Sequence, residues 1–329
     1  MIELEAVDSV EVQVLVDNVT DSLSTVPKFV ETEFAGLTRR RGMAWVLGGS
    51  CLCCAAHGLA CLVTVRRGKE EQVLLFDSGP EDRTFEQNVS RLGVDLGRVG
   101  AIVLSHGHWD HGGAMLRALQ LIRDRNGGAE VPYYAHPDMF RTRATMFGPD
   151  KLRPMEDVPS VEALTAYGAN VVNTRGAELL LGGLAYVSSE IPRVTPFERG
   201  LKGQHRRTLD GTGWELDELI MDERFVAVNV RGKGIVVLTA CSHAGVVNVL
   251  KHARACFGDH PLHAVLGGLH LTGSNEKIIP ESVAGMRELG VELIAPGHCT
   301  GWRAVNAFAQ AFGEDALIPL AVGKRLTFL

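Results

Sequence analysis

Four side chains able to bind a metal stand within six residues: His106, His108, Asp110 and His111. They follow the apolar run 101–104, which reads as a short buried strand. A strand therefore ends here, and one turn presents all four groups. Imidazole and carboxylate are ligands for zinc and for other borderline divalent metals. Burying so dense a polar set without a metal would leave many groups to satisfy. The chain needs a fold that ends a strand at this turn and can gather further ligands around it.

Other strand ends carry similar residues. Asp77 follows 73–76 and precedes Ser78-Gly79. Cys241 and His243 follow 236–239, His270 follows 265–268, and His298 follows 294–297. Residues i and i+2 at a strand end point the same way, so Cys241 and His243 could face one site. Alternation predicts a strand over 11–17, and 60–65 and 72–76 read as the next two, joined by an Arg67-Gly68-Lys69 turn. Further strands are expected at 131–135, 263–266 and 293–295, with a hairpin of 225–230 and 235–239 around Gly232-Lys233-Gly234. Helical spacing is expected over 113–125, 161–167, 246–257, 281–289 and 302–312. Strands and helices in that order suit two sheets packed face to face with helices outside.

The 329 residues are 46% hydrophobic, enough for a large core, and the net charge of −6 argues against general nucleic-acid binding. No apolar stretch approaches the roughly 18 residues of a membrane span. The segment 1–7 is acidic and lacks a signal-peptide pattern. Seven cysteines, three of them crowded at Cys51, Cys53 and Cys54, suit a reducing compartment. A cytoplasmic location is the resulting expectation. The partner is expected to be a small molecule, with no nucleic acid and no membrane; a homo-oligomer is compatible.

The chain resembles the metallo-β-lactamase-fold superfamily across almost its whole length. His106-Gly107-His108-Trp109-Asp110-His111 matches the signature H-x-H-x-D-H, Leu75-Phe76-Asp77-Ser78-Gly79 resembles its first motif, and Pro296-Gly297-His298 its last. Within the superfamily it is similar to the 7,8-dihydropterin-6-yl-methyl-4-(β-D-ribofuranosyl)aminobenzene 5′-phosphate synthase branch. The residues that carry this are Ala56-His57-Gly58-Leu59, Glu190-Ile191-Pro192-Arg193, 241–248, Gly267-Gly268-Leu269-His270-Leu271 and His298-Cys299-Thr300-Gly301. The resemblance implies a single α/β domain over 1–329, a four-layer αββα sandwich of two mixed β-sheets. It also implies two divalent metal ions, zinc foremost, with iron or manganese as alternatives. His106 and His108 would hold the first; Asp110, His111 and His298 the second, with Cys241 where a bridging aspartate usually stands. Asp77 would orient a ligand histidine by hydrogen bond.

The superfamily's usual third histidine for the first metal is missing from 187–192. Glu190, His243 and His270 are candidates to replace it, and the strand-end argument favours His243; the alternative is one tightly held metal. Arg193, Arg199, Lys202, Arg206 and Arg207, with His205, face a single acid, Glu198. They suggest a basic lid over 193–222 that either binds an anionic substrate or is solvated surface. His57, Glu190, Arg193, Arg206, Arg207 and His270 are the substrate-binding candidates. The leading function is a metal-dependent hydrolase of a small anionic metabolite, using metal-activated water oriented by Asp110 as the catalytic residue. One alternative is a transferase displacing diphosphate from a pterin-methyl diphosphate. Another is a non-catalytic metal- or ligand-binding protein.

Overall fold

The computed structural model describes residues 2–42, 46–148 and 151–329; of the acidic opening stretch, Met1 lies outside them. One sheet has eight strands. From edge to edge they are Ala169–Asn173, Val131–Ala135, Val99–Val103, Glu70–Phe76, Ala60–Arg67, Ser9–Val16, Arg325–Phe328 and Val30–Glu31. The first four run parallel and the rest antiparallel. The second sheet has seven strands. Its order is Glu178–Leu180, Ala185–Val187, Val226–Val230, Gly234–Thr239, Leu262–Gly268 and Leu293–Gly297, with Ala6–Val7 beside Val226–Val230. Its last three strands are mutually parallel.

Alternation within the strands decides the layering. Leu74 and Phe76 point into the core between the sheets, where they meet Val10, Val12, Val63 and, from the second sheet, Val226, Val228 and Leu238. Val73 and Leu75, one residue out of step, point the other way. They pack with Phe85, Val89, Met115 and Leu119 of the helices Asp82–Leu92 and Met115–Arg123. On the far side Val237, Val265 and Ile294 bury against Val247, Leu250, Met286 and Phe308 of the helices Val246–Phe257, Ile279–Glu288 and Trp302–Phe312. Three apolar cores separate four layers, the αββα sandwich that the sequence motifs implied. Val226–Val230, Gly234–Thr239 and Leu262–Gly268 are buried on both faces, as central strands of a covered sheet require.

The region 193–222 is less loop-like than its composition suggested. Gln204–Arg207 and Trp214–Leu216 pair with each other, and Gln204–Arg207 pairs with Arg143–Met146, which pairs with Leu152–Pro154. These strands have three or four residues and little apolar alternation, so their pattern gave no signal. The helices Glu33–Arg41 and Asp82–Leu92 also went unread. The second carries a legible signature. The Glu81 carboxylate accepts from the Arg83 and Thr84 N–H groups, and Gly93 closes the helix at φ 63°, a left-handed stop that glycine adopts without steric cost.

Candidate metal centre

Strand polarity gathers the polar strand ends. Asp77, the 105–111 turn, Cys241, His270 and His298 all follow strands that point toward one edge of the sandwich. Open α/β sheets place their ligands at such carboxyl ends. The backbone there is strained: Asp77, Ser242, His270 and His298 have φ of 59°, 54°, 40° and 47°, a region non-glycine residues seldom occupy. Gly107 is required by close approach, since a Cβ there would lie 2.5 Å from the Met139 carbonyl oxygen.

His106, His108 and His243 form one group of converging ligand atoms. His106 Nε2 and His108 Nδ1 face each other at 3.0 Å, and the His243 ring centre lies 4.8 Å and 5.0 Å from theirs. Glu223 holds the His243 loop by accepting from the His243 and Ala244 N–H groups, both at 2.7 Å. Around Asp110 Oδ2 stand His298 Nε2 at 3.3 Å, His57 Nε2 at 3.5 Å and His111 Nε2 at 3.6 Å. Cys241 Sγ is 3.3 Å from His111 Nε2 and 3.4 Å from Cys299 Sγ. The seven cysteines carry free thiols.

These spacings suit metal ligands. Two nitrogen or oxygen ligands at 2.0–2.1 Å from a tetrahedral zinc stand about 3.3–3.4 Å apart. His108 Nε2, both nitrogens of His243, His270 Nδ1 and His298 Nε2 are buried and make no hydrogen bond among the described residues. Such orphaned atoms are costly unless something accepts their lone pairs. The donor set of imidazole, carboxylate and thiol fits zinc or another borderline metal better than a hard cation.

The electrostatics agree. Burial, then neighbouring imidazoles, hold His106 and His243 well below the usual histidine range. Burial and the Arg143 guanidinium lower His108 to about 3. All three are neutral and able to coordinate. Burial alone would raise Asp110, but His111 and His298 outweigh it and hold the carboxyl well below the carboxylate range. Burial opposes protonation of His111 too, yet Asp110 and Asp77 win and push it up to about 9. Two carboxylates on one imidazole call for positive charge at this point, supplied by a proton or a metal.

Asp77, with no exposed surface, faces His111 Nδ1 at 2.8 Å and accepts from Ser105 N and Ser105 Oγ, both at 2.7 Å. Ser105 Oγ in turn faces His106 Nδ1 at 2.9 Å. A carboxylate that accepts from Nδ1–H leaves the Nε2 lone pair facing inward, so Asp77 orients His111 directly and His106 through Ser105.

The cleft above has a volume of about 310 Å³, walled by Asn18, His57, Trp109, Met155, Leu201, Gln204, His270 and Thr272. Other expected residues lie elsewhere. Glu190 faces His136 Nε2 at 2.9 Å and accepts from Arg175 at 2.8 Å. Arg206 pairs with Glu215, Asp138 and Asp217 at 2.8, 3.1 and 3.5 Å. The Arg207 guanidinium stacks 4.2 Å over Trp214. Arg193 donates to the carbonyls of Ile191, Leu219 and Ile220. Among the described residues no lysine or arginine lines the cleft; internal acids, carbonyls and the Trp214 ring hold the guanidinium groups of Arg193, Arg206 and Arg207. Leu201 and Gln204 are what 193–222 contributes. Sequence reading missed Asn18, Cys299 and Glu223. Cys299 was legible as the neighbour of His298; Asn18 ends the strand Ser9–Val16 as the other site residues end theirs.

The family model of the metallo-beta-lactamase superfamily matches residues 58–201. A Methanocaldococcus jannaschii protein named 7,8-dihydropterin-6-methyl-4-(beta-D-ribofuranosyl)-aminobenzene-5'-phosphate synthase is 27% identical over 275 residues, 83% of this chain and 90% of its own length. An uncharacterized protein of the same archaeon is 25% identical over 78% of this chain and 88% of its own. The crystal structure of Tm1679, described as a metal-dependent hydrolase of the β-lactamase superfamily, superposes with a TM-score of 0.68. It covers 97% of this chain and 98% of its own at 21% identity, which speaks to the fold. No helix among the described residues is long and apolar enough to cross a membrane. With the H-x-H-x-D-H turn at the edge of an αββα sandwich, the chain has the metallo-beta-lactamase fold, and its residues 58–201 match the model of that superfamily.

Proposed function

We propose that this protein is a metal-dependent hydrolase of a small molecule. The observation that carries the reading is the set of buried, unpaired imidazole nitrogens beside an ionised Asp110 at the floor of one cleft. His106, His108 and His243 would hold one metal; Asp110, His111, His298 and Cys241 would hold the other. The ions are zinc foremost, with iron next, since thiol and imidazole favour both over manganese. Divalent metals in such sites supply Lewis acidity and a water acidic enough to ionise near neutral pH. Asp110 Oδ2 stays ionised and accepts a hydrogen bond from the attacking water, fixing its direction. Asp77 keeps His111 in the ligating tautomer. Trp109, Met155 and Leu201 exclude bulk water from one wall, while Gln204 and Thr272 offer polar contacts to the substrate. No guanidinium lines the cleft among the described residues, so an anionic substrate would be neutralised by the metals and the imidazoles.

A cleft of about 310 Å³ lies at the lower end of the range for one ligand, which favours a single small substrate with water. The second reading is a transferase that releases diphosphate from a pterin-methyl diphosphate. It draws on the name of the archaeal relative and on a neighbouring apolar groove of about 490 Å³, beside Trp302, that shares His298 and Gly301 with the cleft. The test is a panel of phosphoesters, lactones and diphosphates, run on metal-analysed protein with and without an aromatic amine. Hydrolysis without the amine is expected. Turnover confined to mixtures containing the amine would select the transferase, and protein that binds no metal would end both readings.

A further inference from the structure

His57, Asp110 and His298 bring ligand atoms together as closely as the other groups do, so geometry alone offers both histidines as metal ligands. Asn18 separates them. Its Oδ1 accepts from the Gly58 N–H at 3.1 Å and faces His298 Nδ1 at 2.9 Å. Its Nδ2 donates to the His298 carbonyl at 3.1 Å and faces His57 Nδ1 at 3.1 Å. The two backbone partners cannot exchange roles: an N–H only donates and a carbonyl only accepts. Turning the amide over would set donor against donor at Gly58 and acceptor against acceptor at His298. The amide orientation is thereby fixed, and it dictates both rings. His298 Nδ1 must carry a hydrogen to give to Oδ1, which leaves Nε2 bare. His57 Nδ1 must accept from Nδ2, which puts the hydrogen on Nε2.

We propose that Asn18 is a positioning residue that imposes opposite tautomers on two neighbouring histidines, making His298 a metal ligand and His57 a hydrogen-bond donor to a substrate oxygen. The bare His298 Nε2 is one of the buried atoms without a hydrogen bond, and it lies 3.3 Å from Asp110 Oδ2. The His57 ring is 59% exposed on the cleft wall, with Nε2 3.5 Å from Asp110 Oδ2. An Nε2–H there has no lone pair for a metal and is open to an incoming substrate. A fixed donor aimed at developing negative charge is worth about 100-fold in turnover. The donor role of His57 rests on the enzymatic reading above; the tautomers do not.

The experiment is long-range proton–nitrogen NMR of the zinc-loaded protein labelled with ¹⁵N-histidine, in which a metal rather than a proton faces Asp110. His298 is expected as the Nδ1–H tautomer and His57 as the Nε2–H tautomer. Either ring in the other form in the parent protein overturns the proposal without recourse to any variant. In Asn18→Asp the side chain can only accept, so His57 should switch to Nδ1–H while His298 keeps its form. An unchanged His57 in that variant would also overturn it. Elemental analysis separates the two rings: His57→Ala should retain the parent metal content, and His298→Ala should lose one equivalent. Loss of metal from His57→Ala makes His57 a ligand and refutes the assignment. Once a substrate is found, His57→Ala should lower kcat about 100-fold with metal intact. Unchanged kcat would remove the donor role while leaving the tautomer result, and the hydrolase reading, standing.

Discussion

Replacing Asp77 by Asn removes one charge and exchanges one acceptor for a donor, with little other change. The backbone tolerates it, because Asn occupies a φ near 59° more readily than most residues. The cost therefore lies in hydrogen bonds, and it can be counted. Asp77 receives three: from Ser105 N at 2.7 Å, from Ser105 Oγ at 2.7 Å and from His111 Nδ1 at 2.8 Å. If the new amide oxygen stays on Ser105 N, its NH2 faces His111, which must move its hydrogen to Nε2 and lose its ligating lone pair. Disturbing such an outer partner weakens metal binding about 10- to 100-fold, which is about 1.4–2.7 kcal/mol. If the amide turns over, two donors meet at Ser105 N in a site without solvent, at about 1–3 kcal/mol. Either orientation costs about the same, so the side chain has no escape. The assay is chelator competition for each metal equivalent, with denaturant unfolding of the metal-free protein alongside. Weaker binding of the Asp110-side metal is expected, with a smaller loss at the His106 side through Ser105. Parent affinity at both sites would refute the claim that Asp77 sets the tautomer.

Four further outcomes are expected. His243→Ala should reduce metal stoichiometry, whereas Glu190→Gln should leave it unchanged, because Glu190 is engaged by His136 and Arg175; elemental analysis giving the reverse pattern would reject His243 as a ligand. Gly107→Ala should destabilise by about 1–3 kcal/mol and disturb metal binding, since the new methyl would press on the Met139 backbone; an unshifted urea midpoint would count against that close approach. Arg206→Gln should lower stability and leave the salt dependence of KM as in the parent, because its guanidinium serves Glu215, Asp138 and Asp217; a raised KM at low salt would return it to substrate binding. Glu198 caps the helix Val246–Phe257 by accepting from Val247 N and Asn248 N, both at 2.8 Å, and burial pushes its pKa from 4.5 up to about 7. The folded state then holds the proton more tightly than the unfolded one. That contribution is complete below pH 4.5 and is lost as pH rises through 7. Unfolding curves of Glu198→Gln should lack this part of the slope, and an unaltered pH profile would show that another group carries it.

The arrangement of layers was legible because it is a local property. Continuous apolar runs such as 73–76 and 235–239 state that a strand is buried on both faces, and those faces became walls of three cores between four layers. The helices Val246–Phe257 and Trp302–Phe312 have the bounds their spacing predicted. The H-x-H-x-D-H turn was equally readable, since its four groups are neighbours in the chain. The idea that polar residues after strand ends meet at one edge also needed nothing beyond strand polarity.

Pairing across the chain was beyond the sequence. The run of arginines between Arg193 and Arg207 looked like a lid for anions, and only the small sheet built from 143–146, 152–154, 204–207 and 214–216 decided that Asp138, Glu215 and Asp217 would neutralise Arg206. Charge is additive along a sequence, but its availability depends on which opposite charges the fold brings within a few ångströms. Asn18 makes the same point. Nothing near residue 18 announces a histidine 280 positions away, and its effect on the centre comes from two backbone groups that hold its amide one way round. Residue types and local period determined what chemistry this chain could host and on which edge; tertiary contact alone decided which nitrogen of each ring is bare, because a tautomer is set by whichever partner the fold places against it.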